Sequence, residues 1–171
     1  MSPRVDSSWV THINILADAV RPLETQFAAP HEEADSHATR KFEVNVIYTT
    51  ERGTIAALKT ASNLALDLKA SINLIATQAV PWALPLTRPP VPVQFIEQRL
   101  FDLACQGADA SSETNIHVYL CRDKQRALVK ALKPNSLVVI GGKMAWWPSE
   151  AARTAKTLER NGHRVVFAVQ R

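Results

Sequence analysis

The chain has 171 residues, of which 46% are hydrophobic, and this size buries about two thirds of the unfolded surface without help from a metal or a disulfide. Its two cysteines form neither a CxxC pair nor a dense framework, so both are expected to be free and buried in a reducing compartment. The net charge of +4 divides into 4 Lys/Arg against 6 Asp/Glu in residues 1–41 and 16 against 10 in the remainder, whose dispersed cations argue against nucleic acid as a partner.

Residues 1–41 are predicted to form a partly disordered N-terminal extension, because Ser, Pro, Asp, Glu and His are mixed along them. Their one apolar island, Val10 to Val20, predicts either a short helix or a strand added to the domain. We find neither a secretion signal nor a run of roughly 18 apolar residues that would cross a membrane. A cytoplasmic protein with no membrane partner is therefore expected.

Residues 42–171 are predicted to form one domain in which strands and helices alternate. Val44 to Thr50 is β-branched and apolar on both faces, which is typical of a central parallel strand. Glu51 to Leu68 has apolar residues at steps of three and four, so a helix follows, with Thr50 as its N-cap.

The same patterns continue to the end of the chain, interrupted by a proline-rich surface loop after residue 80. They predict further strands at Ser71 to Val80, Asn115 to Cys121, Ser136 to Ile140 and His163 to Gln170, and further helices at Val93 to Gly107, Lys124 to Leu132 and Ser149 to Arg160. Five strands alternating with four helices indicate a single Rossmann-like α/β domain of three layers. Its sheet is mostly parallel and has helices on both faces.

The candidate site follows from this topology, because ligands of such sheets bind beyond the carboxyl ends of the strands, where the direction of winding reverses. The first strand ends there at Thr49 and Thr50. The fourth is expected to stop at Gly141, which is followed by Gly142 and Lys143, and Ser149 begins the next helix. The two glycines suit either a phosphate or a sharp turn of the chain.

The residues that carry a family resemblance are VNVIYTT, the helix end LALDLKASINLIA, SLVVIGGK, and the last helix with HRVVFAVQ. Residues 42–171 resemble the universal stress protein (UspA-like) family, which implies the sheet order 3-2-1-4-5. ATP-binding members have an acidic residue at the end of the first strand, where this chain has Thr49 and Thr50. They also have a spaced glycine motif after the fourth strand, of which only Gly141, Gly142 and Lys143 remain.

The resemblance and these departures lead to a non-catalytic regulatory or interaction module with a degenerate nucleotide site and no cofactor. We expect the site to be partly filled by the loop of Trp146 and Trp147, which also offers a contact for a protein partner. No catalytic or metal-binding residue is identified.

Two alternatives stay open. The first is a stress protein that binds ATP or AMP through a modified cradle of Thr49, Thr50, Gly141, Gly142, Lys143 and Ser149. The second is a nucleotide hydrolase or transferase on the same scaffold, which would need a general base or metal carboxylate that the sequence does not identify.

The last strand is apolar on both faces and forms an edge of the sheet in the order that the resemblance implies. Many universal stress proteins dimerise through this strand. A homodimer through Val165 to Val169 is the assembly that the resemblance implies.

Overall fold

A computed structural model describes residues 10–15, 42–143 and 149–170 of the chain, and all the strands among them lie in one parallel sheet. The strands are β1 (Val10–Ile15), β2 (Glu43–Ile47), β3 (Ser71–Ala79), β4 (Thr114–Cys121), β5 (Leu137–Gly142) and β6 (Arg164–Val169). The helices are α1 (Glu51–Leu68), α2 (Val93–Gly107), α3 (Lys124–Ala131) and α4 (Glu150–Arg160).

The sheet order is β1-β4-β3-β2-β5-β6. Strands β2 to β6 therefore confirm the predicted order 3-2-1-4-5, and the prediction of a Rossmann-like α/β fold is confirmed with it. The expected count of five was one short, because β1 pairs in parallel with β4, from Val10 beside Asn115 to Ile15 beside Leu120. Within the apolar island, Val10–Ile15 thus forms an added strand rather than a helix. The rest of residues 1–41, with its expected disorder, lies outside the described residues.

Helices cover both faces of the sheet. On one face α1 and α2 pack over a core that includes Leu58, Ile72, Leu74 and Leu100, all buried. On the other face α3 and α4 pack over a core that includes Ile47, Ile75, Leu128, Ile140 and Leu158. This arrangement gives the predicted three layers. Among the described helices, none is both long enough and apolar enough to cross a bilayer.

Two of the strand ends that differ from the predicted ones bear on the site. Strand β2 ends at Ile47 because the chain turns away to cap α1, whose N-terminal Gly53 N–H donates to the Thr50 hydroxyl at 3.1 Å. Strand β5 does not stop at Gly141. It continues through Gly141 and Gly142, which pair with Ala168 and Val169 of β6. The glycines therefore belong to the sheet.

Candidate functional site

A cavity of about 710 Å³ lies at the carboxyl ends of β2, β3 and β5. From β2 the chain winds first towards β3 and β4 and later towards β5 and β6, so the cavity lies where the direction of winding reverses. The structure brings all six predicted site residues to its wall: Thr49, Thr50, Gly141, Gly142, Lys143 and Ser149. Trp146 and Trp147, expected beside it, lie outside the described residues.

The two threonines after β2 use their hydroxyl groups within the protein. The Thr49 hydroxyl donates to the carbonyl oxygen of Gly141 at 2.7 Å and so ties the end of β2 to β5. The Thr50 hydroxyl accepts from the Gly53 N–H as the N-cap of α1. The Thr49 O–H donor is thereby used within the protein, whereas the Thr50 hydroxyl, which accepts here, still has its own O–H to donate to a ligand.

Position 141 requires glycine because α1 lies very close to β5 there. A Cβ atom on Gly141 would lie 1.8 Å from the carbonyl oxygen of Gly53, in the first turn of the helix. A Cβ on Gly53 would in turn lie 2.6 Å from the Gly141 carbonyl oxygen. Since real side chains do not come so close to a backbone oxygen, the absence of both side chains sets the distance between helix and strand.

Gly142 has a comparable role on the opposite face. A Cβ atom there would lie 3.0 Å from the Cβ of Ala151 in α4 and 3.1 Å from Cζ of Phe167 in β6. The two glycines of the predicted cradle thus let α1 and α4 approach β5 from its two sides. Each has a packing reason that does not involve a ligand.

Helices α1, α3 and α4 all begin at the cavity, and each carries a carboxylate at its start. Glu51 and Glu150 lie in the first turns of α1 and α4, and Asp123 caps α3 by accepting from the Gln125 and Arg126 N–H groups. The Ser149 hydroxyl caps α4 by accepting from the Ala152 N–H at 3.2 Å. Negative charges of the protein itself therefore lie at the helix ends that favour anions.

The charged side chains of the cavity wall are of both signs. Lys143 is exposed, and the Lys124 ammonium lies 3.8 Å from the Glu150 carboxylate. Glu51 accepts from the guanidinium of Arg99, with an Nη2 to Oε1 distance of 2.6 Å. This hydrogen bond raises the pKa of Arg99 above its ordinary value. With Arg52, the wall carries three basic and two acidic side chains, so the cavity is polar and only weakly cationic.

Sequence reasoning missed several residues of the wall. Thr77 and Gln78 come from the end of β3, Lys124 and Gln125 from the start of α3, and Gln170 follows β6. The signal was available, because these positions also lie at carboxyl ends of predicted strands or at the helix starts that follow them. None of them forms a recognisable sequence motif with its neighbours, so the sequence did not single them out as site residues.

Comparison with known proteins gives the fold a precedent. The sequence matches no protein-family model, and no curated protein matches it. Among solved structures, a universal stress protein in complex with cAMP matches with a TM-score of 0.52 and 14% sequence identity, over 76% of this chain and 98% of that one. A universal stress protein from Archaeoglobus fulgidus matches with a TM-score of 0.52 and 9% identity, over 74% and 97%. The predicted resemblance is confirmed at the level of the fold.

Proposed function

We propose that this protein is a cytoplasmic, non-catalytic regulatory or interaction module of the universal stress protein type, whose nucleotide site no longer holds a polyphosphate. The observation that carries the proposal is that the residues of the expected phosphate-binding cradle make structural contacts within the protein. Gly141 and Gly142 are taken up by helix packing, the Thr49 hydroxyl donates to a backbone carbonyl, and the Thr50 and Ser149 hydroxyls accept from helix N–H groups as N-caps. We retain the hypothesis that Trp146 and Trp147 fill part of the site.

The carboxylates of the cavity support a role without catalysis. A general base has to reach the proton it removes and to be free to accept it. Glu51 is hydrogen-bonded to Arg99, and Glu150 lies near the Lys124 ammonium. Both carboxylates are also part of helix first turns, which gives them a structural reason to be present. A hydrolase or transferase is accordingly the weakest of the three hypotheses.

A second candidate is a sensor of AMP or a similar nucleoside monophosphate. The volume of about 710 Å³ falls in the range of small-molecule sites, and Lys124 and Lys143 offer positive charge for one phosphate group. A matching structure of the same fold is a complex with cAMP. A monophosphate needs fewer hydrogen-bond donors from the loop after β5 than a triphosphate does.

Thermal unfolding with added nucleotides separates these hypotheses, because a ligand that binds only the folded state raises the melting temperature. The leading proposal predicts no shift with ATP and Mg²⁺ or with AMP at micromolar concentrations, whereas the second candidate predicts a shift with AMP at those concentrations. Release of phosphate from ATP, lost in a Glu51→Gln variant that still folds, would favour the enzyme. Heat-denatured protein serves as the control for background hydrolysis.

We also propose a homodimer through β6, at Val165 to Val169. Among the described residues this strand pairs on one side only, with β5, and Val169 at its end is 45% exposed. Light scattering should give the mass of a dimer, and Val169→Lys should shift it towards the monomer.

Cys105 was expected to be buried, but it is an exposed free thiol. An exposed free thiol persists in a reducing compartment, so it supports the proposed cytoplasmic location.

A further inference from the structure

A second cavity, of about 170 Å³, lies under the first turns of α2. It is separate from the predicted site but adjoins it, since Tyr48, Thr77 and Gln78 line both cavities. Its remaining wall comes from β3 and α2 and from Val91, in the loop between them. We call it the α2 cavity.

The buried part of the α2 cavity wall is apolar, while Tyr48, Thr77 and Gln78 add polar groups elsewhere in the wall. Ala76 and Leu100 form buried parts of its wall, and Ile96 is partly buried. At the mouth, Phe95 is 62% exposed and Val91 is 43% exposed. A cavity of roughly 150 Å³ with apolar walls accommodates a benzene-sized molecule. The α2 cavity is thus large enough for one aromatic ring, and exposed apolar side chains mark its entrance.

One charged residue lies in the wall of this apolar cavity. Arg99 lines it and uses its Nε and Nη2 groups to donate to a single oxygen, Oε1 of Glu51, at 3.0 and 2.6 Å. A guanidinium group has five N–H donors, so this pair leaves others for a second acceptor. Arginine prefers to bind carboxylates through two parallel hydrogen bonds. The chemistry of the wall therefore combines a ring-sized apolar space with a donor for an anion.

We propose that the α2 cavity binds a small aromatic carboxylate, with its ring between Phe95, Ile96 and Leu100 and its carboxylate on Arg99. An uncharged ring would leave the remaining N–H donors of Arg99 unused, and a short aliphatic acid would leave the apolar space unfilled. The site goes beyond the proposed function, because it does not require a nucleotide in the neighbouring cavity. Because the two cavities share wall residues, a ligand in one cavity would alter the affinity of the other for its ligand.

Benzoate is the probe that tests this site, with benzamide and acetate as probes that lack the charge and the ring. We expect saturable shifts in a ¹H–¹⁵N spectrum at Thr77, Gln78 and Ile96, with benzoate binding about tenfold more tightly than benzamide. Acetate should give no saturable shift. Phe95→Ala and Arg99→Gln should each weaken benzoate binding about fivefold or more.

Matched controls use positions outside the cavity. Phe101→Ala removes another exposed aromatic ring of α2, and Arg126→Gln removes an exposed arginine of α3, so both should leave benzoate binding unchanged. All four substitutions are at exposed positions, and the dispersion of each variant's ¹H–¹⁵N spectrum checks that the fold is retained. The proposal is overturned if benzoate gives no saturable shift, if its shifts centre on Lys143 and Ser149, or if Phe95→Ala and Arg99→Gln bind it as the wild type does.

Discussion

Gly53 and Gly141 meet backbone to backbone, so closely that a Cβ atom on Gly141 would lie 1.8 Å from the Gly53 carbonyl oxygen. The contact joins the first turn of α1 to the end of β5 at the wall of the large cavity. The Thr49 hydroxyl, which donates to the Gly141 carbonyl, reinforces it. The point where a phosphate-binding loop was expected to begin is therefore a packing contact between a helix and a strand.

Gly141→Ala is expected to destabilise the ligand-free protein by about 3 kcal/mol or more, since the added methyl group can be accommodated only by moving α1 away from β5. Urea denaturation measures the loss. Gly142→Ala is the matched control, and it should cost about 1 kcal/mol because its nearest contacts, at 3.0 and 3.1 Å, are side-chain atoms. Equal stability of the Gly141 variant and the wild type would contradict the packing role.

Thr49→Val keeps the shape of the side chain but removes the hydroxyl that donates to the Gly141 carbonyl. We expect a loss of about 1–2 kcal/mol in the free energy of unfolding, because a part-buried carbonyl loses its partner. The measurement is again urea denaturation without ligand. If Thr49→Val instead leaves stability unchanged and alters only nucleotide binding, the hydroxyl belongs to a ligand site and our assignment is wrong.

Replacing the two acidic residues of the helix starts should improve the cavity as an anion site. The double variant Glu51→Gln, Glu150→Gln removes negative charge from the first turns of α1 and α4. AMP affinity, measured by calorimetry, should rise about three- to tenfold. Asp67→Asn with Glu159→Gln makes the same charge change at the exposed last turns of the same helices and should have no such effect. An equal gain in both variants would mean that only net charge matters.

His163 predicts a pH dependence of stability. Its side chain is buried at the start of β6, its Nδ1 has no hydrogen-bond partner among the described residues, and burial lowers its pKa from the ordinary value near 6.5. The unfolded chain therefore binds the proton more readily than the folded protein does. Stability should be full above about pH 6.5 and fall as the pH drops below it, through the lower pKa of the folded state.

His163→Gln should flatten this dependence, because the variant has no group that titrates at that position. Urea denaturation at a series of pH values between about 7.5 and 5 gives the free energy of unfolding of both proteins. The wild type should lose more stability than the variant across this range. Parallel curves for the two proteins would show that another group is responsible.

Most of the fold could be predicted because its signals are local. The apolar steps of Glu51 to Leu68 define α1 without reference to the rest of the chain, and the observed helix has the same bounds. The added strand β1 could not be assigned, since Val10 to Val20 suits a helix or a strand until the edge of β4 is known to be available. Its state depends on a partner distant in the sequence.

At the candidate site, too, the local features could be predicted and the contacts between distant residues could not. Six residues could be brought together in advance, because parallel strands place their carboxyl ends at one edge of the sheet. What those residues do could not be predicted. The role of Gly141 depends on Gly53, and the role of Thr49 on a carbonyl of another strand. Such contacts between distant residues leave no trace in the spacing of a motif.

Calorimetric titration of the wild-type protein with ATP and Mg²⁺, in parallel with AMP, tests the central claim most directly. The account predicts no saturable heat with ATP at concentrations up to about 1 mM, which corresponds to a binding free energy weaker than about −4 kcal/mol. A micromolar dissociation constant for ATP, abolished by Lys143→Gln in a variant of unchanged stability, would contradict it.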